Sequence, residues 1–254
     1  MVTPMGDGRY SGEIGTGWNA LGGMPNGGYI LAVALRALGA ELDMPDPVVV
    51  SAFFLRRTEP GPVELHTDIA RIGRRHATGG VRMLQHDDEV LRAAATFTDF
   101  DNATGETVLL NDAPDLPAPE ECADPLRPNP FPWVTIIDRL DYRFAEVPGS
   151  LDGRPSGRPS LEFWMRFKDD RPLDTLSLVA LVDAAAPAVI ELGKGSVTME
   201  LTVHVRARPA AGPWMACRSM TKHIVDGYHE EDFEIWDSNG HLVAESRQLA
   251  LLRS

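Results

Sequence analysis

Hydrophobic and polar residues follow one another along the chain in a pattern that occurs twice. An apolar segment at about residues 26–42 is followed by the run VVVSAFFLRR and by two long segments in which hydrophobic residues alternate with polar ones. A second apolar segment, at 176–190, is followed by VTMELTVHVRAR and by two further alternating segments. Such patterns are typical of buried helices and of strands with one buried face. The sequence therefore predicts a helix and an antiparallel meander, present in two copies.

The repeat suggests a register between the two copies. Their last strands align with Val90 against Leu242, an offset of 152 residues, and this alignment places Thr96 opposite Gln248. Gln248 falls on the small and apolar face of its strand, so its amide is expected to point into the core and to need partners there. On the strand that follows the second helix, simple alternation turns Thr198 away from the core.

The domain organisation follows from the repeat. We predict an α+β fold with an N-terminal half over residues 1–105, a Pro-rich linker over 106–132 and a C-terminal half over 133–254. Within the C-terminal half, residues 147–160 are rich in Gly and Pro and are expected to form an exposed loop between two short strands. The two halves should pack against each other, because a half-size chain of this kind has a sheet edge to satisfy.

Asp183 is the only charged residue in the apolar segment LSLVALVDAAAPAVI, at 176–190. An ionised carboxylate in apolar surroundings must be paired, hydrogen-bonded or neutralised by a raised pKa. Pro187 has no N–H to give to the carbonyl of residue 183, so the helix is expected to kink or end near this point. Asp183 is therefore either a functional group or a local cap, and the segment by itself is compatible with both.

Composition and charge narrow the classes of function. The chain has 37 acidic residues against 24 lysines and arginines, a net charge of −13, which argues against a nucleic-acid partner. Cys122 and Cys217 lack the spacing of a metal site or a disulfide framework, and no Walker A, dinucleotide-binding or nucleophile-elbow motif occurs. We expect no metal and no cofactor. With no long apolar run and no signal-peptide pattern, we expect a cytoplasmic protein without a membrane partner.

Short motifs that occur in a fixed order through both halves identify a family. They are Gly27-Gly28-Tyr29, Ala70-Arg71-Ile72-Gly73-Arg74, Met83-Leu84-Gln85, Ala94-Ala95-Thr96-Phe97, Val182-Asp183, Thr198-Met199-Glu200, Ser246-Arg247-Gln248 and Leu252-Arg253. In this order and spacing they resemble the acyl-CoA thioesterases of the thioesterase II type, from about Trp18 to Arg253. The resemblance implies a double hotdog fold, two tandem helix-wrapped antiparallel sheets that form a pseudo-dimer, and an acyl-CoA substrate.

The resemblance also implies a catalytic set. In that family an Asp, a Thr and a Gln orient the water that attacks the thioester, and the matching residues are Asp183, Thr198 and Gln248. A carboxylate can act as general base, while a hydroxyl and an amide fix the orientation of the water. The products are free fatty acid and CoA, without a covalent intermediate. One set per chain is expected, because Thr96 stands opposite Gln248 and the middle of the first helix carries no acid.

Two further groups are candidates for substrate binding. Gly27 and Gly28 open the first helix, where free N–H groups and the helix dipole favour an oxyanion, although such glycines can also serve only to let the chain pass closely under the sheet. The cluster formed by Arg71, Arg74 and Arg75 matches the phosphates of CoA, and a solvated hairpin end explains it about as well. The acyl chain is expected in an apolar channel between helix and sheet.

Other functions stay open from the sequence. The same architecture supports acyl-CoA hydratases or dehydratases, whose Asp and His pair in one short loop is not found here, and it supports non-catalytic acyl-CoA or lipid-binding proteins. Release of free thiol from acyl-CoA separates hydrolysis from both. We further expect a homodimer or larger homo-oligomer, because sheet edges and outer faces remain after the halves have packed.

Overall fold

Thirteen strands form one antiparallel sheet in this computed structural model, which describes residues 1–169 and 171–253. The helices in this part of the chain are α1 (Gly27–Leu42) and α2 (Thr175–Leu181). The strands are β1 (Thr3–Gly6), β2 (Arg9–Ile14), β3 (Asp46–Phe54), β4 (Gly61–Ile72), β5 (Ala77–Gln85), β6 (Asp88–Thr98), β7 (Leu140–Arg143), β8 (Ser160–Phe167), β9 (Gly195–Val205), β10 (Met215–Met220), β11 (Ile224–Val225), β12 (Tyr228–Trp236) and β13 (Leu242–Arg253).

A helix followed by a meander occurs twice, in agreement with the sequence pattern. The sheet runs in the order β1-β2-β4-β5-β6-β3-β9-β13-β12-β10-β8-β7, and the short β11 pairs with β12. Strands of the two copies meet at one place, where β3 and β9 pair antiparallel with Ser51 opposite Thr202. The two helices pack against each other and against the strands beside this seam. The core therefore lies between the helix pair and the concave side of the sheet.

The limits of α1 follow from local chemistry. Asn26 caps the helix by accepting a hydrogen bond from the Tyr29 amide at 2.9 Å, and Asp43 ends it in the left-handed conformation, with φ of 51°. The predicted helix at about 26–42 is confirmed. Its buried face packs against β3 to β6 through Ile30, Leu31, Ala34, Leu35, Leu38 and Leu42.

The second predicted helix, at 176–190, is shorter than expected. α2 ends at Leu181, and the chain turns before a 3-10 segment at Ala188–Leu192. Pro187 directly precedes that segment with extended backbone angles. Asp183 therefore lies in the turn that follows α2, close to the helix end that the proline predicts, and not within a continuous helix.

Side chains replace the helical hydrogen bonds that are lost in this turn. The carbonyl of Asp183 accepts a hydrogen bond from Asn26 Nδ2 at 2.5 Å. The next carbonyl, that of Ala184, accepts one from the Tyr142 hydroxyl at 2.7 Å. Buried carbonyl groups need such partners when a helix stops. The turn is thus fixed from two sides, by the start of α1 and by β7.

A β-bulge on β9 decides the face of the sheet to which Thr198 points. Glu200 pairs with Leu249 and Thr198 pairs with Ala250, so Met199 has no partner on β13. An extra residue in one strand reverses the alternation beyond it. Residues directly opposite in an antiparallel pair share a face, and Ala250 is fully buried. Simple alternation is therefore wrong for Thr198, which turns to the core face.

A second bulge lies at the corresponding place in the N-terminal half, between Pro47 and Val49 of β3. Matching the two bulges puts Pro47 in the place of Thr198 and Ala95 in the place of Gln248. All four residues lie on the core face of the sheet. Pro47, Ala95 and Gln248 are buried there, and Thr198 is half-buried. The bulges therefore define which residues of the two halves are equivalent.

Thr96 is not the counterpart of Gln248. Ala95 and Phe97 are buried on the core face of β6, whereas Thr96 points to the opposite face. There its hydroxyl shares a hydrogen bond with that of Thr78 at 2.9 Å. The core-facing residues have odd numbers in β6 and even numbers in β13. An offset of 152 residues therefore aligns this strand wrongly by one residue.

The Pro-rich segment at 106–132 has little regular structure, with one short 3-10 turn at Pro119–Glu121. It runs along the C-terminal half, where the Trp164 indole donates a hydrogen bond to the Pro117 carbonyl at 2.8 Å. Across the described part of the chain, no helix has the length and apolar character needed to cross a membrane. Nor do three or more His, Cys, Asp or Glu side chains gather in these residues as metal ligands.

Candidate active site

A cavity of about 840 Å³ opens between the start of α1, the turn after α2 and the first residues of β9. Its wall is mostly apolar, and much of it comes from β7, β8 and the segment that precedes β7. The apolar lining includes Leu126, Phe131, Val134, Ile136, Ile137, Tyr142, Phe144, Leu161 and Phe163. A concave apolar site with a few polar groups is typical of small-molecule binding.

Asp183 lies in the wall of this cavity with its carboxylate held in one orientation. Oδ2 accepts hydrogen bonds from the Gly28 amide at 2.8 Å and from Asn26 Nδ2 at 3.1 Å. Burial raises the pKa of Asp183 to about 6, and the hydrogen bonds from the start of α1 oppose this rise by stabilising the charged form. A carboxyl group with this pKa can accept a proton near neutral pH.

Gly27 and Gly28 let α1 approach the turn that carries Asp183. A Cβ on Gly28 would lie 2.5 Å from the carbonyl oxygen of Ala180, and one on Gly27 would lie 2.9 Å from Asp183 Oδ2. Neither contact is possible for a residue with a side chain. The Gly28 amide donates to Asp183, so the structure gives it a partner other than the predicted oxyanion. Gly27 does line the cavity.

Thr198 and Gln248 form a hydrogen-bonded pair on the wall of the same cavity. Oγ1 of Thr198 donates to Oε1 of Gln248 at 2.5 Å. Gln248 is buried on the core face of β13, where alternation predicts it, and the bulge on β9 brings Thr198 beside it. The structure thus gathers the three residues Asp183, Thr198 and Gln248 around one space.

Glu231 is a fourth polar residue of this site, and the sequence analysis missed it. Its carboxylate accepts hydrogen bonds from Gln248 Nε2 at 2.9 Å and from the Ala188 amide at 2.5 Å. Burial raises the pKa of Glu231 to about 7, and the nearby charge of Asp183 adds to this rise. Glu231 shares the inward face of β12 with Phe233. An acidic residue at a core-facing strand position was the feature that could have revealed it.

Arg71, Arg74 and Arg75, the predicted phosphate ligands, do not line this cavity. They surround a separate pocket of about 170 Å³ at the turn between β4 and β5. A Cβ on Gly79, next to that turn, would meet Leu38 of the C-terminal part of α1. Asp183 contacts the opposite end of the same helix, which is roughly 20 Å away at 1.5 Å per residue.

Other arginines line the exposed end of the large cavity, namely Arg56, Arg57 and Arg253. Arg56 is already engaged, since it pairs with Asp88 at 3.3 Å and donates to the Glu89 carbonyl at 3.0 Å. Neither Arg57 nor Arg253 takes part in an ion pair with the residues that the structure describes. These two guanidinium groups are therefore free to meet an anion at the cavity mouth.

Two family models match most of the sequence. The acyl-CoA thioesterase N-terminal domain matches residues 14–98, and the acyl-CoA thioesterase C-terminal domain matches residues 115–252. The chain belongs to the acyl-CoA thioesterase family. An uncharacterized protein of Mycobacterium tuberculosis (strain ATCC 25618 / H37Rv) is 28% identical to this acyl-CoA thioesterase family member over 269 residues, which cover 96% of this chain and 90% of the relative.

Solved structures agree with the family assignment. A candidate thioesterase II from Thermobifida fusca YX is 29% identical, with a TM-score of 0.87 over 100% of this thioesterase-family chain and 96% of the other. A conserved protein with a hot dog fold from Alicyclobacillus acidocaldarius is 22% identical, with a TM-score of 0.86 over 100% and 96% of the two chains. The resemblance to thioesterase II is confirmed, and the fold is a hotdog fold.

Proposed function

We propose that the protein hydrolyses acyl-CoA thioesters to a free fatty acid and CoA by direct attack of a water molecule. The observation that supports this most is the convergence of Asp183, Thr198 and Gln248 on one mostly apolar cavity. Membership of the acyl-CoA thioesterase family supports the same class of substrate.

Asp183 acts as the general base in this proposal. The hydrogen bonds from Asn26 and Gly28 end on Oδ2, so Oδ1 is the oxygen that accepts the proton of water. The water oxygen attacks the carbonyl carbon of the thioester, and the C–S bond then breaks. The proton passes from Asp183 to the thiolate of CoA, which leaves a carboxylic acid and a thiol. Thr198 and Gln248 orient the water, which lowers the entropic part of the barrier.

The substrate extends from the polar end of the cavity to its apolar end. The acyl chain contacts the side chains of β7 and β8, among them Tyr142 and Phe163. The thioester oxygen lies towards Gly27, where the start of α1 favours the negative charge of the tetrahedral intermediate. We place the phosphates of CoA at Arg57 and Arg253, since these line the same cavity, whereas Arg74 and its neighbours lie at the other end of α1.

We also propose that residues 1–105 and 133–254, joined by 106–132, form a double hotdog in which the β3–β9 seam is the interface of a pseudo-dimer.

We further propose that two chains associate as a homodimer through the outer face of the sheet, because packed sheet faces bury apolar side chains. Exposed apolar side chains on that face are Phe53, Val197, Met199, Leu249 and Leu251. A single 27.8 kDa species in sedimentation at micromolar concentration would contradict this assembly. We assign the protein to fatty acid metabolism in the cytoplasm.

The proposed activity is tested by measuring free thiol released from a panel of acyl-CoA substrates that ranges from short to long chains. We expect steady release with at least one chain length and almost none with the Asp183→Asn variant. Wild-type protein that binds acyl-CoA without releasing thiol would instead favour a binding protein. Consumption of an enoyl-CoA or hydroxyacyl-CoA without thiol release would favour a hydratase or dehydratase.

A further inference from the structure

Glu231 ends a chain of hydrogen bonds that runs from the middle of β12 to the cavity. Its two carboxylate oxygens have different partners: Oε1 accepts from Gln248 Nε2 at 2.9 Å, and Oε2 accepts from the Ala188 amide at 2.5 Å. Gln248 then uses its other end, Oε1, to accept from Thr198 at 2.5 Å. Glu231 is only 4% exposed and does not line the cavity. Its link to the cavity therefore runs through Gln248.

The donor and acceptor of each hydrogen bond in this series are fixed, because its residues differ in whether they can donate or accept. When Glu231 is ionised, its carboxylate only accepts hydrogen bonds, whereas the amide of Gln248 donates at one end and accepts at the other. Turning the amide round would set its carbonyl oxygen against the carboxylate of Glu231, which is unfavourable. The Gln248 carbonyl is thus directed to Thr198, and the Thr198 hydroxyl must give its proton to that carbonyl. The lone pairs of Thr198 Oγ1 remain to accept a hydrogen bond from water.

We propose that Glu231 is a positioning residue of the hydrolytic site, which sets the orientation of the Gln248 amide and thereby makes Thr198 a hydrogen-bond acceptor towards the attacking water. The inference rests on the proposed function. Water held by Thr198 and by Asp183 has both protons engaged, and its lone pair is left to attack the thioester. The Ala188 amide fixes Glu231 from the segment that follows the Asp183 turn, so the same loop holds the base and the positioning carboxylate.

The charged and titratable groups around Glu231 fit this role. Asp183 faces it across the site, and His229 shares the inward face of β12 and is fully buried. The pKa of His229 is lowered by burial, so a neutral imidazole is expected beside Glu231 near neutral pH. Because Asp183 and Glu231 repel each other, ionisation of either carboxyl raises the pKa of the other. The pH dependence of the reaction should therefore change when the charge of Glu231 is removed.

The sharpest test exchanges the side chains of Glu231 and Gln248. In Glu231→Gln, the Ala188 amide and the Gln248 amide compete for one oxygen, and kcat should fall by about 10-fold or more with KM within about twofold. In Gln248→Glu, two carboxyl groups meet, and kcat should fall further. The double exchange restores an acceptor for Ala188, a donor between the two residues and an acceptor for Thr198. The double variant should therefore be faster than the product of the two single effects predicts.

The chain offers a second measurement that does not depend on catalysis, because it contains two glutamines, Gln85 and Gln248. Labelling glutamine side chains with nitrogen-15 gives two pairs of amide proton signals in a nuclear magnetic resonance spectrum. Gln85 bonds to the backbone of Glu59 at 2.9 Å and serves as an internal reference. Glu231→Gln adds a third pair of signals from the new side chain; beside it, the signals of Gln248 should shift and those of Gln85 should not.

Asp46→Asn is the matched control, since Asp46 is a buried carboxylate of the same sheet that does not line the cavity. It should lower stability and leave kcat and the pH profile unchanged. Active wild-type protein together with unchanged kcat and pH profile in Glu231→Gln, or with unmoved Gln248 signals, would overturn the inference alone. Wild-type protein that releases no thiol would overturn the proposed function and the inference with it.

Discussion

The two bulges of the sheet, one on β9 and one on β3, match in position and differ in chemistry. At the β9 bulge, Thr198 turns inward and meets Gln248 beside an open cavity. At the β3 bulge, the equivalent places hold Pro47 and Ala95, which offer neither a hydroxyl nor a side-chain amide. The first arrangement can hold a water molecule through side chains, and the second cannot. Both halves therefore have the bulge, and only the C-terminal one has polar side chains at these two places.

An ion pair between a buried carboxylate and an exposed guanidinium lies beside the β3 bulge. Asp46 is 2% exposed and accepts hydrogen bonds from the Thr175 hydroxyl at 3.0 Å and from Arg208 at 2.7 Å. Arg208 follows the β9 bulge at the same distance along the chain as Arg57 follows the β3 bulge. The residue equivalent to Asp46 is Val197, so the place that would correspond to a carboxylate partner of Arg57 holds an apolar side chain. Arg208 is thus held by the carboxylates of Asp46, Asp99 and Asp101, whereas Arg57 has no carboxylate partner among the residues that the structure describes.

The largest effect is expected at Asp183, the proposed general base. Asp183→Asn should lower kcat by about 100-fold or more, the usual contribution of a general base, while the fold is kept. Steady-state thiol release measures kcat, and circular dichroism checks the fold. A folded variant that turns over at nearly the wild-type rate would remove Asp183 from the mechanism.

The pH dependence of thiol release should report the ionisation of Asp183. The pKa of Asp183 is about 6 in the free enzyme, and the base works only when ionised, so kcat/KM should reach a plateau above neutral pH and fall roughly tenfold per pH unit below about 6. Thiol release must be followed at substrate concentrations far below KM, because that condition reports the groups of the free enzyme. A rate that stays constant down to pH 5 would show that no group with this pKa is needed.

A pair of matched hydroxyl deletions compares the halves directly. Thr198→Val should lower kcat about 10-fold, because the water loses one partner, whereas Thr96→Val should leave kcat within about twofold. Both variants lose one hydrogen bond, to Gln248 and to Thr78 respectively, and should lose about 1 kcal/mol of stability. Equal loss of kcat in the two variants would mean that the catalytic half has been assigned wrongly.

The two arginine clusters should differ in their effect on KM. Replacing Arg57 and Arg253 by Ala should raise KM for acyl-CoA about 5-fold or more and leave kcat nearly unchanged, because phosphate contacts far from the thioester bind ground state and transition state alike. Replacing Arg74 and Arg75 by Ala is the control and should leave KM unchanged. A raised KM in the Arg74 and Arg75 variant, with unchanged KM in the Arg57 and Arg253 variant, would indicate that the CoA phosphates bind at the turn between β4 and β5.

Stability should respond in opposite directions at the two buried carboxylates. The pKa of Asp183 is raised from 3.8 to about 6, so its charge opposes folding, and the contribution of Asp183 to stability should fall as pH rises from about 4 to about 6. Asp183→Asn should lack this loss and be more stable at pH 8 by about 1–3 kcal/mol. Asp46→Asn weakens an ion pair with the exposed Arg208, which keeps Asp99 and Asp101 as partners, and should cost about 1–3 kcal/mol. Urea denaturation of both variants at pH 5 and pH 8 checks the signs.

Periodicity was enough to predict α1, the meanders and the inward position of Gln248. It failed at Thr198, because a bulge inserts one residue without any mark in the alternation of β9. It failed in the same way at Thr96, whose face depends on the register of the whole strand. The end of α2 was indicated by Pro187, but the role of Asn26 as a partner of Asp183 depends on a contact between distant parts of the chain. Contacts of this kind cannot be predicted from local sequence.

The predicted and the proposed phosphate-binding arginines differ in how they are arranged along the sequence. Arg71, Arg74 and Arg75 cluster in the sequence, and the structure places them beside a separate small pocket. Arg57 and Arg253 are far apart in the sequence and line one cavity. A cluster along the chain therefore predicts a charged surface more readily than it predicts which cavity that surface serves.

The hydrogen bonds of Asp183 cross from one half of the molecule to the other, since Asn26 and Gly28 belong to α1 and Asp183 follows α2. The first helix turn of the N-terminal half thus holds a carboxylate of the C-terminal half in place. The orientation of Asp183 is therefore not decided by its own half alone. A substitution at the start of α1 would disturb a group that lies 155 residues further along the sequence.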